Sequence, residues 1–419
     1  MRYLLNPTHS DVPPAHPMLD AQAAGQVVSL LEACFDYAPT PLVDLPGIAE
    51  REGLGAVCIK DEGARLGLKS FKALGGAYAV VRLVMAQAAK KLGRPITPDE
   101  LPRAAGGSLD PGTADAKVRA TSAGASAMAT AAAGMTFACA TDGNHGQSVA
   151  AGARLVGASA VIFVHEGVSA ERRAAIARFG ADLREVPGSY DDAVAESVRQ
   201  CEANGWTLLS DTSWPGYTEV PALVMQGYTA MVHELRQQLQ TPPTHVFLQA
   251  GVGGFAAALA TGLADIFDPM PVVVVVEPTR AACLLASIEA GELLRIEAQE
   301  PTVMAMLECY EPSLVAWELL RPLATAFMAV DEDDALVAMR RLARPRQDTE
   351  VVVAGESGSA GLAGLLAACA TIDGKAALGL DASSRVLLIN TESATDAASY
   401  EAAVGQSAAT VAARIPAAR

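Results

Sequence analysis

Lys72 stands in the run Leu68-Lys69-Ser70-Phe71-Lys72-Ala73-Leu74-Gly75-Gly76-Ala77-Tyr78, and its position suits covalent chemistry. Behind it lies an apolar, strand-like segment, Ala56-Val57-Cys58-Ile59. Ahead of it Ala73, Ala77, Val80, Val81, Val84 and Met85 fall on one helical face. Ser70 reads as the N-cap, which puts Lys72 in the first helical turn. Free N–H groups and partial positive charge gather there, so a neutral amine is favoured over an ammonium. Such a lysine is a nucleophile able to form a Schiff base. The bland alternative is a surface lysine whose stem covers the helix.

Four further segments could supply partners. Gly251-Val252-Gly253-Gly254 follows the apolar run His245–Ala250 and opens a helix. Glycines there let a ligand approach the backbone, and the helix start offers N–H groups to a phosphate. The spacing is neither a dinucleotide fingerprint nor a P-loop, and a plain strand–helix turn is the alternative. Thr141-Asp142-Gly143-Asn144-His145 forms a second turn between strand and helix. Asp142 is a candidate general base and Asn144 a hydrogen-bonding group, unless Asn144 merely caps the following helix. His145 alone reads as a structural hydrogen bonder. Asp211-Thr212-Ser213-Trp214, with Gly216-Tyr217, places an acid and aromatic rings at a strand end, a wall suited to a cation. Asn390-Thr391-Glu392 ends a late strand in hydroxyl and acidic groups.

Holding such turns requires short buried strands alternating with Ala-rich helices, the sign of a parallel α/β architecture. Strands are expected at 57–59, 136–140, 160–164, 182–186, 207–210, 245–250, 271–277, 326–330, 351–354 and 385–390. Helices are expected at 146–156, 171–179, 191–204, 221–240, 255–266, 331–342 and 359–371. Residues 94–127 lack periodicity and read as an inserted, mobile surface segment. The 419 residues, 51% hydrophobic and 19% charged, describe a core-rich globular chain. A net charge of −16 argues against nucleic acid and anionic membranes as partners. Seven scattered cysteines without a CxxC fit a reducing, cytoplasmic setting better than disulfides or zinc. The first residues lack secretory character, and the run Val272–Val276 is too short for a bilayer.

Taken in order, these segments resemble the fold-type II pyridoxal-phosphate enzymes, a tryptophan synthase β-like family. Within it they are most similar to the diaminopropionate ammonia-lyases, over about residues 3–400 apart from 94–127. The aspartate before Gly143 is the discriminating letter, since dehydratases of this family usually carry a small residue there. The resemblance implies two open, twisted, mostly parallel sheets, a large domain of 1–72 and 222–419, and a small domain of 73–221. It implies that Lys72 bonds pyridoxal 5'-phosphate, that Gly251, Val252, Gly253 and Gly254 hold its phosphate, and that Asn144 meets its phenolic oxygen. Thr391 would face its pyridine nitrogen. Asp142 and Lys72 would lie on opposite faces of the substrate and each take the α-proton of one enantiomer. Asp211 would recognise the distal ammonium, with Ser70 also contacting substrate. The implied reaction is α,β-elimination of D- and L-2,3-diaminopropionate to pyruvate and two ammonia by a cytoplasmic homodimer, with no metal. A serine/threonine dehydratase-like lyase is the nearest alternative, and a non-catalytic nucleotide- or cofactor-binding regulator a remote one.

Overall fold

The computed structural model describes all residues except 1, 11, 13, 104–108, 110–121, 346–347 and 417–419. Eleven strands form two sheets among the described residues: β1 (Arg2–Leu5), β2 (Leu42–Asp44), β3 (Ala56–Asp61), β4 (Thr136–Ala140), β5 (Ser159–His165), β6 (Asp182–Val186), β7 (Thr207–Leu208), β8 (His245–Gln249), β9 (Val272–Pro278), β10 (Ala326–Val330) and β11 (Arg385–Asn390). The larger sheet runs β1-β10-β9-β8-β11-β3-β2 and the smaller β6-β5-β4-β7. The central strands β8, β9 and β10 are almost wholly buried apolar runs, as parallel strands covered on both faces must be. Only the edge pairs β1/β10 and β2/β3 are antiparallel. The fold is therefore the expected α/β class. The larger sheet draws its strands from 1–72 and 222–419, the smaller from 73–221.

Several expectations need correction. The apolar run 351–354 is buried but pairs in no sheet; the Val352 N–H instead reaches Leu342 O at 3.1 Å, plugging the space beside the helix Glu332–Ala343. The single helix expected at 221–240 is two, Glu219–Tyr228 and Ala230–Gln238, broken where Thr229 Oγ1 bonds Gln226 O at 2.7 Å. Strands β1 and β2 went unforeseen because edge strands this short carry too few residues for a pattern. The aperiodic segment ends earlier than 127, since a helix spans Ala123–Ala132. Much of the remainder, 104–108 and 110–121, lies outside the described residues. Among the described residues no single helix is long and apolar enough to cross a membrane.

The loop that carries Lys72 is anchored by charge. Lys60 on β3, Glu62 and Arg65 in the short helix Glu62–Gly67, and Glu234 on Ala230–Gln238 are all buried. Arg65 bonds Glu234 through both terminal nitrogens at 2.7 and 2.9 Å and Glu62 at 2.7 Å; Lys60 pairs with Glu234 and bonds Thr40 O at 2.6 Å. Two cations and two carboxylates thus compensate one another away from water. Burial raises Glu234, but Arg65 and then Lys60 outweigh it and hold the carboxyl below its usual range. Its contribution is present above the ordinary carboxylate range and is lost as pH falls through the depressed native value. Replacing Glu234 by Ala leaves one buried carboxylate for two cations. At neutral pH this is expected to cost about 3–5 kcal/mol in urea denaturation, with a smaller difference in strong acid.

Candidate active site

The expected site residues converge. Ser70, Lys72, Asp142, Asn144, Asp211, Gly251–Gly254 and Thr391 all line one cleft. Asp142, Asn144, Asp211, Gly251–Gly254 and Thr391 follow the carboxyl ends of β4, β7, β8 and β11, where open α/β sheets bind ligands, and Phe71 N–H to Thr391 O ties the segment holding Ser70 and Lys72 to the end of β11.

Lys72 is the first residue of the helix Lys72–Leu92, and the Ser70 hydroxyl accepts the Lys72 N–H at 3.3 Å. The approach to it is bent, with Leu66 and Lys69 at positive φ of 48° and 60°. That backbone, unfavourable for non-glycine residues, is held by Phe71 N–H to Thr391 O and Ser393 N–H to Lys69 O, both 3.0 Å. The start of the lysine helix is thus stitched to the end of β11. The expectation of a neutral amine is not met, because Nζ forms an ion pair with Asp211. Burial lowers the Lys72 ammonium, but the Asp211 carboxylate outweighs it and holds it above its ordinary value. Asp211, raised by burial, is pulled below its usual range by Lys72. His145 donates from Nε2 to Leu209 O at 2.7 Å, which leaves Nδ1 without a hydrogen bond, 3.9 Å from Asp211.

The glycine turn is shaped for close approach. Gly253 has φ +95°, and a Cβ on Gly251 would lie 2.9 Å from Cys309 Sγ and 3.3 Å from Leu307 Cα. The helix Gly254–Ile266 makes its first bond from Ala257 N–H to Gly253 O. The preceding N–H groups therefore have no partner within it. Across the cleft the capping reading of Asn144 fails, since it is already the first residue of the helix Asn144–Val156 and its Nδ2 donates to Glu392 Oε2 at 2.5 Å. Burial raises Glu392 to about 7, against the opposing charge of Arg172. Thr391 Oγ1 accepts from Gln249 Nε2 at 3.1 Å, so the hydroxyl keeps its own proton to donate. Asp142 Oδ1 meets His165 Nε2 at 2.9 Å.

Sequence reasoning missed three of these groups. Gln249 lay unmarked in a strand, His165 unmarked at another strand's end, and Glu392 inside a marked segment but without a role. Their partners lie 142, 23 and 248 positions away respectively. Strand ends pointing at one turn cluster were the available signal, but register was needed to use it.

An amine, a glycine turn at a helix start, an amide, and a hydroxyl with its proton to spare match the aldehyde, phosphate, phenol and ring nitrogen of pyridoxal phosphate. Fold and site together define a fold-type II pyridoxal-phosphate enzyme. Residues 107–392 match the family described as "Pyridoxal-phosphate dependent enzyme". The chain is 35% identical over 378 residues to the diaminopropionate ammonia-lyase of Escherichia coli strain K12, covering 88% of this chain and 87% of that one. It is 36% identical over 395 residues to the enzyme of the same name from Salmonella typhimurium strain LT2, covering 92% of each. A crystal structure of the Escherichia coli enzyme, in complex with an aminoacrylate-PLP azomethine reaction intermediate, superposes with a TM-score of 0.82 at 32% identity over 96% of both chains. The chain belongs to the diaminopropionate ammonia-lyase family, pyridoxal-phosphate-dependent carbon–nitrogen lyases.

The raised Glu392 carboxyl has a measurable consequence. Between about 4.5 and about 7 the native state holds a proton that the unfolded chain releases, so stability falls as pH rises through that window and levels off above it. Glu392→Gln is expected to remove this part of the slope. Urea midpoints measured from pH 5 to 8 in both proteins check it.

Proposed function

We propose that this chain eliminates ammonia from 2,3-diaminopropionate of either hand, giving aminoacrylate, whose hydrolysis by water yields pyruvate and a second ammonia. The observation that carries this reading is the Lys72–Asp211 ion pair, with a second carboxylate, Asp142, in the same cleft. The name and the trapped intermediate of the Escherichia coli relative support it. When bound, pyridoxal phosphate supplies the electron sink that accepts the charge left when the α-proton departs.

On this reading Lys72 holds the cofactor's aldehyde carbon through Nζ, the amides of Gly251, Val252, Gly253 and Gly254 its phosphate, and Asn144 its phenolic oxygen through the N–H not given to Glu392. Thr391 donates its free proton to a ring nitrogen that carries none, which suits elimination better than transamination. Asp211, held charged in the cleft, would meet the substrate's distal ammonium. Lys72, its Nζ released when the substrate's α-amine takes its place on the aldehyde carbon, would take the α-proton from the L-isomer and Asp142 that from the D-isomer, with Ser70 contacting the substrate beside them. The cleft lies between a large domain of 1–72 with 222–419 and a small domain of 73–221. The enzyme acts on a small amino acid in the cytoplasm as a homodimer.

Pyruvate release from D- and L-diaminopropionate, serine and threonine tests the reading. Both diaminopropionate isomers should turn over fastest, and faster deamination of serine would refute it. Asp142→Asn should depress D-isomer turnover by at least about a hundredfold, the scale of a general base, and the L-isomer far less. Lys72→Ala should abolish the visible absorbance of purified holoenzyme and its borohydride-trapped adduct; an unchanged spectrum would remove Lys72 from its role.

A further inference from the structure

Strand register puts a second group behind Asp142. β4 and β5 are parallel with Ala140 opposite Phe163, and the Thr141 N–H continues the ladder to Phe163 O at 3.1 Å. Two residues further on, Asp142 and His165 stand side by side beyond the strand ends, Nε2 to Oδ1 at 2.9 Å. The tautomer follows from a neighbour. Gly167 donates its backbone N–H to His165 Nδ1 at 3.2 Å, so that nitrogen accepts and the imidazole proton sits on Nε2, directed at the carboxylate. Position 167 is sterically committed to this arrangement, since a Cβ there would lie 2.8 Å from His165 Cε1 and 3.0 Å from Nδ1.

We propose that His165 is a positioning residue for Asp142: its Nε2–H fixes Oδ1 and leaves Oδ2 to receive the α-proton of the D-isomer. This rests on the reading of Asp142 given above. Among the described residues Asp142 has no other side-chain hydrogen bond. In the step itself the Cα–H bond breaks, its electron pair passes to the bound cofactor, and its proton goes to Oδ2. Asp142 and His165 side chains are 22% and 24% exposed, so that proton then exchanges with water. The other charges facing the imidazole are Glu308, from the loop after Ala305–Leu307, and Arg173, from the helix Ala170–Ala177. Arg173 is already bonded to Glu185, Val168 O and Glu166 O. The Asp142 bond is the largest influence and raises the His165 imidazole above its ordinary value, against burial.

The test uses holoenzyme and two substitutions. His165→Phe removes the donor and should lower kcat for the D-isomer about tenfold, the scale of one lost hydrogen bond, while the L-isomer changes less than about twofold. His165→Gln retains a donor and should recover most of the D-isomer rate. Independently of turnover, the His165 imidazole resonance should titrate above the ordinary histidine range in the native protein and fall back in Asp142→Asn. This measurement decides the question even if His165→Phe does not fold. Equal losses for both isomers in His165→Phe, a glutamine variant no better than phenylalanine, or a midpoint indifferent to Asp142→Asn would each overturn the proposal. Should Asp142→Asn itself spare the D-isomer, the role given to Asp142 fails, while the resonance still reports whether the pair exists.

Discussion

The ion pair between Lys72 and Asp211 is the contact around which the site is organised. Lys72 follows β3 of the larger sheet and Asp211 follows β7 of the smaller, so one bond joins the carboxyl ends of two separate sheets. Each partner decides the other's protonation. Burial alone would discharge both; together they remain charged, because removing either leaves an uncompensated charge in a poorly solvated cleft. Asp211 also belongs to a loop whose Ser213 bonds Ser313 through Oγ at 2.6 Å, while the Ser313 N–H reaches Val252 O at 2.9 Å. The pair therefore reaches the glycine turn through two serines.

Holding a lysine at that place has a backbone cost met by distant groups. The strained residues Leu66 and Lys69 persist because the chain is clamped on both sides. Upstream, Arg65 is locked into the buried carboxylates of Glu62 and Glu234; downstream, residues 69–71 are bonded to 391–393. Gly227 lets the helix Glu219–Tyr228 approach the lysine helix so closely that a Cβ would meet Leu74 O at 2.2 Å. The Lys72 end of the lysine helix is thus held on both sides by backbone bonds and buried ion pairs.

How far the sequence reveals this depends on the range of each interaction. Buried parallel strands such as Ala326–Val330 and Arg385–Asn390 are bounded by polar residues and turns, and their limits can be read directly. The run 351–354 looks alike locally, yet which apolar segment finds a ladder partner is decided by packing. The turns that line the cleft are local too, so glycines, asparagine and acids mark them. Their hydrogen-bond partners are not. That Asn144 meets Glu392 and does not cap its helix, or that Lys72 is charged and not neutral, follows only once strands from both halves of the chain converge.

Specificity, on the proposed reading, follows from charge balance. The cleft contains Asp142 and Asp211, and Asp211 is paired with Lys72. Beside Asp211 stands His145, whose open Nδ1 is a lone pair and not a proton. Burial lowers the His145 imidazole, so it does not charge readily in compensation. A carboxylate in that position is stable only if something positive arrives. A hydroxyl-bearing amino acid brings no such charge to its β-position; an ammonium does. The acid that keeps the lysine charged before the cofactor is attached is then the one that selects a diamino substrate afterwards.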